Sequence, residues 1–350
     1  MAYTTIKKPS DYFNTVLYTG NGSTQSIAVG FQPDWIWCKP RGNAGWHFLS
    51  DSVRGGTKVI SSNSANAEIT RSSNIQSFTS TGYTLGADGT SNSNGDATVS
   101  WNWKANGTGS ANTDGSINST VSANTTSGFS IVSYTGNGSQ PSTVGHGLGV
   151  TPQVVLVKPR NDAQSWCMYH ESIGNTKVTY LDSTSASASS VVWNNTSPTS
   201  SVFTVNDNQV NSNTITYIAY CFAEKQGYSK FGSYTGNGST NGPFVYTGFK
   251  PSFVMLKLGN AAGENWTIFD TKRNNYSLAY TQDNFNVVNS KLYPNSSGAE
   301  EYENFIDILS NGFKIRTASA GGNGSTYKYT YMAFAEAPLV GSNNVPCTAR

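Results

Sequence analysis

The chain carries few charged residues for its length. Among 350 residues, 22 are lysine or arginine and 20 are aspartate or glutamate, so the formal net charge is +2 and the charged fraction is 12%. A typical soluble domain has about 25% charged residues. Because phosphate binding needs clustered lysine and arginine, this composition argues against a nucleic-acid partner and against an electrostatic membrane anchor.

Long apolar runs and paired cysteines are also missing. No 18 consecutive apolar residues occur, which predicts no membrane insertion. The first residues, 1–9, contain no apolar signal core, so we expect assembly in a cytoplasm. The cysteines Cys38, Cys167, Cys221 and Cys347 form no CxxC pair, which predicts reduced thiols, no disulfide framework and no structural metal site.

Turn-forming and aromatic residues are abundant. The chain holds 35 glycines and 12 prolines, and 12% of its residues are aromatic. Aromatic residues at this density argue against a disordered coil. Runs of valine, isoleucine and aromatic residues are short, are bounded by glycine, proline and asparagine, and lack a helical period. The composition therefore predicts an all-β protein with many loops.

One hexapeptide occurs three times. Tyr-Thr-Gly-Asn-Gly-Ser begins at Tyr18, Tyr134 and Tyr234. Each copy is followed by three runs in the same order. The first is a proline-led apolar run that ends in lysine (33–39, 152–158 and 251–257), the second begins with tryptophan, and the third is an aromatic closing run (99–104, 216–222 and 330–335). This succession predicts three tandem antiparallel β-sandwich repeats. The predicted segments are an N-terminal arm at 1–12, repeats at 13–104, 128–226 and 228–338, a linker or long hairpin at 105–127, and a C-terminal tail at 339–350.

The pattern within each repeat predicts the environment of its strands. The tryptophan-led runs start at Trp46, Trp166 and Trp266, which we expect at equivalent core positions. The proline-led runs are apolar on both faces and predict central strands, whereas alternation in the closing runs predicts one buried face. The Asn-Gly pair of the hexapeptide predicts a hairpin turn with positive φ at glycine.

No catalytic pattern is evident, and we predict a protein that is not an enzyme and has no cofactor, no metal and no catalytic residues. The histidines His47, His146 and His170 do not recur at one offset, so we interpret them as loop or strand-edge residues. The chain has no Walker-type loop, GxSxG or HExxH motif. Paired acids of a glycoside hydrolase would be spatial neighbours and need not show in the spacing, so a glycan depolymerase remains an alternative.

Recurring acids and non-recurring tryptophans receive different interpretations. Asp51, Glu171 and Asp270 recur near the ends of the tryptophan-led runs, and we interpret them as structural, either capping a turn or pairing with Arg54 or Lys272. Tryptophan faces can pack on sugar rings. The candidates for glycan or partner contact are the tryptophans that do not recur, namely Trp37, Trp103 and Trp193.

The motifs as a set resemble a known family. Residues 16–41, 115–160 and 333–341, and the entry Lys-Pro-Ser-Asp-Tyr-Phe at 8–13, are similar to a repeated uncharacterised β-sandwich domain. This domain is found in tail-fibre-like and other virion surface proteins of tailed phages, many of them marine or cyanobacterial. The resemblance implies a non-enzymatic component of a phage virion and brings no catalytic residues with it.

From this resemblance we expect a structural and adhesion protein, a tail fibre or tail appendage that contacts the host surface. A capsid or neck decoration protein is the alternative. The expected location is the virion surface after assembly in the host cytoplasm, with other virion proteins and possibly a host surface glycan as partners. We also expect a homo-oligomer, with a trimer favoured. In the N-terminal arm, Lys7, Lys8 and Pro9 are the predicted docking residues.

Overall fold

The computed structural model describes residues 3–273 and 286–340. It is 46% strand and 2% helical, which confirms the all-β prediction. Short β-branched and aromatic runs favour strands because such side chains pack well on a pleated surface. The helical segments described are a 3-10 turn at Pro9–Asp11 and one four-residue helix.

The first set of strands, called group 1, lies between residues 13 and 103. Its strands are β1 (Phe13–Thr19), β2 (Gln25–Ala28), β3 (Trp35–Pro40), β4 (Phe48–Asp51), β5 (Gly55–Ile60), β6 (Ile69–Thr70), β7 (Ile75–Thr79), β8 (Gly82–Leu85) and β9 (Ala97–Trp103). One sheet has the order β1-β9-β3-β4-β5-β6, and a second has the order β2-β8-β7.

Group 2 lies between residues 110 and 222. It contains β10 (Ser110–Asn112), β11 (Ser119–Asn124), β12 (Phe129–Thr135), β13 (Ser142–Gly145), β14 (Val154–Pro159), β15 (Cys167–His170), β16 (Lys177–Tyr180), β17 (Ala188–Ser189), β18 (Val202–Val205), α1 (Asn208–Asn211) and β19 (Thr216–Phe222). Its sheets have the orders β10-β11-β12-β19-β14-β15-β16-β17 and β13-β18. Residues 110–124 thus form a hairpin on the edge of this sheet.

Group 3 lies between residues 229 and 338. It contains β20 (Ser229–Thr235), β21 (Phe244–Tyr246), β22 (Phe249–Leu258), β23 (Thr267–Asp270), β24 (Val287–Lys291), β25 (Glu301–Leu309), β26 (Gly312–Ile315) and β27 (Lys328–Pro338). Its sheets have the orders β20-β27-β22-β23 and β21-β26-β25-β24. In all three groups the strand that leads into the hexapeptide (β1, β12 or β20) pairs with the closing strand (β9, β19 or β27). The closing strand pairs in turn with the proline-led strand (β3, β14 or β22).

The proline-led strands contribute to two cores at once. In β3, Ile36 and Cys38 belong to the cluster inside group 1, whereas Trp35 and Trp37 belong to a central cluster. The same alternation occurs in β14 and β22, and the central cluster contains residues of all three groups. Each group is therefore sandwich-like around its own core, and the three groups also bury one aromatic core between them.

The prediction that the closing strands have one buried face is wrong. In β19, Tyr217 and Cys221 pack inside group 2, while Tyr220 and Phe222 pack in the central cluster. The second face of this sheet meets the neighbouring groups instead of water, so both sets of alternating residues are buried.

The expected equivalence of the three tryptophans is also wrong. Trp46 is 47% exposed, whereas Trp166 and Trp266 are buried. The position that corresponds to the two buried tryptophans is His47, because His47 N, Trp166 N and Trp266 N each donate to a side-chain oxygen, that of Asn63, Asp182 and Asn295 respectively. A one-residue offset in a strand exchanges its two faces.

The hexapeptide forms a loop between two sheets. It is not a two-residue hairpin, because β1 pairs with β9 and not with β2. Gly20 has no room for a side chain, since a Cβ there would lie 2.1 Å from the Ser93 carbonyl oxygen. Gly22 adopts φ +65°, as the sequence predicts for this glycine.

A buried asparagine from a segment distant in sequence holds each hexapeptide in place. In group 2, Asn211 Nδ2 donates to Asn137 Oδ1 and to the Ser139 carbonyl, and Asn137 N donates to Asn211 Oδ1. Tyr134 Oη donates to the Val210 carbonyl at 2.7 Å. Asn92 and Asn323 make the corresponding contacts in the other groups. The recurring motif thus has a structural role, because a buried asparagine fixes its conformation in each group.

Candidate functional site

The three tryptophans predicted to contact a ligand are buried. Trp37 is 1% exposed, and Trp103 and Trp193 are each 2% exposed. Trp37 and Trp103 belong to the central core, and Trp193 packs inside group 2. The prediction that their faces recognise a glycan is therefore wrong, because the rings have no accessible face.

Part of the N-terminal arm packs against its own chain. Tyr3 Oη donates to the Gly248 carbonyl, and Ile6 is 1% exposed in the central core. Pro9 is also buried, so it offers no docking surface, whereas Lys7 and Lys8 are exposed. Of the three predicted docking residues, the two lysines therefore remain accessible.

All three histidines are buried, and His47 and His146 lie in loops beside strands whereas His170 is the last residue of β15. Trp37 Nε1 donates to His47 Nδ1 at 2.8 Å, so His47 Nε2 carries the proton and donates to the Tyr293 carbonyl in group 3. His170 accepts from Ser172 N and donates to the Tyr331 carbonyl, also in group 3. Both imidazoles are therefore neutral connectors between groups.

Burial dominates the titration of the histidines. Desolvation lowers the pKa of His170 to about 4 and holds the pKa of His47 well below its usual value. The pKa of His146 is lowered for the same reason. His47 and His170 are therefore neutral near pH 7 in this environment.

Two buried ion pairs lie at corresponding positions, at the ends of β4 and β23. Arg54 Nε donates to Asp51 Oδ2 at 2.6 Å, which confirms the predicted pairing of Asp51 with Arg54. Asp270 pairs with Arg273, not with the predicted Lys272. At the corresponding end of β15 stands His170, not the predicted Glu171, which is exposed.

Each ion pair also bonds to an aromatic side chain of another group. Tyr220 Oη of group 2 donates to Asp51 Oδ2 at 2.8 Å, and Trp101 Nε1 of group 1 donates to Asp270 Oδ2 at 2.9 Å. The third connection is the bond from His170 to group 3. Group 1 thus contacts group 2, group 2 contacts group 3 and group 3 contacts group 1, so the groups form a closed ring.

A glutamate flanked by two arginines fills the outer part of two of these junctions. Between groups 1 and 2, Glu68 accepts from Arg54 and Arg160 at 2.9–3.0 Å. Between groups 3 and 1, Glu300 accepts from Arg273 and Arg41 at 2.8–2.9 Å. Burial alone would raise the pKa of both glutamates, but the arginine hydrogen bonds and charges outweigh it and lower the pKa.

The lysines that end the proline-led runs are buried at the three junctions. Lys158 Nζ donates to the Ala65 carbonyl of group 1, and Lys257 Nζ donates to the Thr184 carbonyl of group 2. Desolvation lowers the pKa of Lys39, Lys158 and Lys257 to about 8. Backbone carbonyls therefore stabilise these ammonium groups, and each lysine is fully covered.

The junction between groups 2 and 3 has a different outer part. Ile173 takes the place of the arginine three residues after the strand end, and Gly259 takes the place of Arg41 and Arg160. Between groups 1 and 2, Glu68 N donates to the Arg160 carbonyl. Between groups 2 and 3, Ser187 N donates in the same way to the Gly259 carbonyl, so Ser187 occupies the position of the glutamate.

A cleft of about 230 Å³ lies at this junction. Its lining is Ser172, Ile173, Lys177, Ser187, Ser233, Gly259, Asn260, Lys328, Tyr329 and Thr330. We call it the group 2–3 cleft. Sequence reasoning missed it, although the signal was present: the proline-led runs continue into Pro-Arg after Lys39 and Lys158 but into Leu-Gly after Lys257.

The described part of the chain shows neither a metal site nor a membrane-spanning helix. Residues 3–273 and 286–340 contain no group of three histidine, cysteine or acidic side chains placed to hold a metal ion. No described helix combines the length and the apolar character needed to cross a bilayer. Of the cysteines, Cys38, Cys167 and Cys221 are buried free thiols, and Cys347 lies outside the described residues.

The chain matches a protein-family model over most of its length. Residues 8–338 match the model described as Domain of unknown function (DUF7483), and the chain belongs to this family. No curated protein and no solved structure matches the chain.

Proposed function

We propose that this protein is a non-enzymatic structural and adhesion component of a phage virion, whose β-groups project from the particle and contact the host surface. The three strand groups are, in this proposal, tandem copies of one β-sandwich. The phage setting comes from the resemblance of residues 16–41, 115–160 and 333–341 to virion surface domains.

The observation that carries the structural role is the use of the buried ionisable groups. Asp51 and Asp270 are held by arginines, and His47 and His170 bridge groups as neutral rings. Side chains that would serve a reaction in an enzyme join one group to the next here. A ring closed in this way suits a rigid, protease-resistant surface protein.

Labelling of particles tests the location. An antibody against this protein, viewed on purified virions by electron microscopy, should mark the tail tip or a tail appendage. Six to eighteen copies per particle fit a tail component, whereas hundreds of copies fit the alternative of a capsid or neck decoration. Particles that contain no copy of the protein would refute both.

The proposed homotrimer and the docking role of Lys7 and Lys8 need separate measurements. Sedimentation of the purified chain distinguishes a monomer, in which three groups of one chain already form the ring, from a trimer of chains. Replacing Lys7 and Lys8 with glutamate leaves the buried Ile6 in place, so incorporation into particles should fall while the fold persists. Normal incorporation of this variant would exclude the arm as the anchor.

A further inference from the structure

The group 2–3 cleft occupies space that charged side chains of the chain fill at the other two junctions. There a glutamate carboxylate, of Glu68 or Glu300, lies between two arginine side chains. In the cleft, Ile173, Ser187 and Gly259 leave that volume open. On this side Ser187 joins the two groups, since both its backbone N and its Oγ donate to the Gly259 carbonyl.

The lining of the cleft includes a threonine, Thr330, whose hydroxyl has no hydrogen-bond partner among the described residues. Thr330 lies opposite Lys257, where Val99 lies opposite Lys39 and Ile218 opposite Lys158. It is 4% exposed, and no described residue bonds to its Oγ1. A buried hydroxyl without a bond costs free energy, so this threonine indicates a polar group that binds there from outside.

The lining combines positive charge with neutral hydrogen-bonding groups. Lys177 and Lys328 are exposed at the cleft, and neither forms an ion pair with any described residue. Asn260 Oδ1 accepts from Lys328 N, which leaves its Nδ2 free to orient toward a ligand. With the hydroxyl of Ser233, these groups match a ring that carries both a carboxylate and hydroxyls.

We propose that the group 2–3 cleft binds one carboxylate-bearing sugar ring, a uronic acid residue of a surface polysaccharide. The volume of about 230 Å³ accommodates a single pyranose and is small for a nucleotide. The lysines bind the carboxylate, and the hydroxyls and the amide bind the sugar hydroxyls. This inference rests on the proposed adhesion function and names the class of its ligand.

Titration of the purified full chain with glucuronate, glucose, acetate and inorganic phosphate tests the ligand class. Isothermal calorimetry or ligand-observed NMR should give saturable glucuronate binding with a Kd of about 1–10 mM, since one sugar ring offers few contacts. Glucose should bind about tenfold more weakly, and acetate and phosphate should not saturate. Absence of glucuronate binding, or equal binding of acetate or phosphate, overturns the proposal.

Variants locate the binding. The double variant Ser187→Glu with Gly259→Arg installs the residue types of the other junctions and adds no net charge. A Cβ at Gly259 would meet nothing closer than the Lys328 carbonyl oxygen at 3.4 Å, so this side chain can be accommodated. It should abolish glucuronate binding while the chain stays folded, and retained binding would refute the cleft as the site.

A matched pair of lysine variants separates the cleft from general surface charge. Lys177→Ala should weaken glucuronate binding about tenfold with little effect on glucose. Lys58→Ala removes the corresponding lysine of group 1, which donates to Thr70 Oγ1, and should leave both affinities unchanged. Equal losses in the two variants would contradict the assignment.

The two proposals fail separately. A protein found on virions that does not bind glucuronate would refute the ligand class and keep the adhesion role. A protein that binds glucuronate through the cleft but is absent from virions would refute the virion role and keep the site.

Discussion

At the scale of single residues, the hexapeptide depends on an asparagine distant in sequence. Asn211 is fully buried, and its amide makes three bonds to the loop that starts at Asn137. The Asn-Gly pair alone is compatible with a hairpin, so the sequence favoured the wrong connection. Only the partner from α1, Asn211, fixes the path of this loop.

Replacement of that asparagine should destabilise the whole chain. Asn211→Ala leaves Asn137 N and the Ser139 carbonyl without their bonds, and we expect a loss of about 2–4 kcal/mol in the free energy of unfolding. Urea denaturation followed by tryptophan fluorescence measures it. Asn208→Ala, at an exposed neighbouring position, is the control and should change it by less than about 0.5 kcal/mol. Equal effects of the two variants would show that Asn211 does not hold the hexapeptide loop in place.

Acid should destabilise the protein through its buried histidines. The pKa of His170 is about 4 in the fold and about 6.5 in an unfolded chain. Between these values the unfolded state binds more protons, so the free energy of unfolding falls as pH falls, by up to about 1.4 kcal/mol per pH unit for this one group.

The test of this linkage compares two variants. His170→Gln should make the pH dependence between about 6.5 and 4 shallower by up to one proton. Ser172→Ala keeps the backbone N–H that bonds to His170 and should leave the slope unchanged. If the slope of His170→Gln matches that of the native chain, the neutral connector is not what makes the protein acid-sensitive.

At the scale of strands and loops, two junctions depend on charges that the sequence separates widely. Glu68 joins Arg54 of its own group to Arg160 of the next, 92 residues away. Such a pair carries no local signal, since charge spacing predicts contacts only within a helix turn or between adjacent strands. The pairing of Asp51 with Arg54 was predictable because the two residues are three apart in one turn.

Removal of this glutamate should be costly. Glu68→Ala leaves the buried Arg54 without one of its two carboxylate partners, and we expect a loss of about 3 kcal/mol in the free energy of unfolding. Lys8→Ala breaks an exposed pair with Asp11 and should cost less than about 0.5 kcal/mol. A calorimetric scan of both variants compares them, and similar melting temperatures would show that the junction does not depend on Glu68.

At the scale of the whole molecule, the central aromatic core links the three groups. It contains Trp35 and Trp103 of group 1, Phe222 of group 2 and Phe334 of group 3, all at most 2% exposed. Trp35 lies 4.3 Å from Tyr220 between ring centroids. Removing one group would expose these rings to water, so we expect the groups to fold together.

A truncation tests this cooperativity. The full chain should unfold in one transition with equal calorimetric and van't Hoff enthalpies. The fragment 1–226 lacks group 3 and leaves Trp103, Phe222 and Ile6 uncovered, so it should show no cooperative transition near the native melting temperature. A fragment that melts like the full chain would mean that the groups fold independently of one another.

The sequence by itself determined the strand content, the succession of motifs and the positive φ of the hexapeptide glycine. These features follow from near neighbours: side-chain shape, alternation, and the steric freedom of glycine. The tertiary structure decided which face of a closing strand is buried, why Trp37, Trp103 and Trp193 are inaccessible, and why His47 takes the place of Trp166. Trp193 is covered inside its own group, whereas the others depend on contacts between groups about 100 or more residues apart, such as the bond from Trp166 Nε1 to the Ser61 carbonyl. No local pattern in the sequence predicts such contacts. The group 2–3 cleft is also a feature that only the tertiary structure decided. The sequence shows that two arginines and a glutamate are missing at this junction, but their absence leaves a cavity only because the three groups pack into a ring.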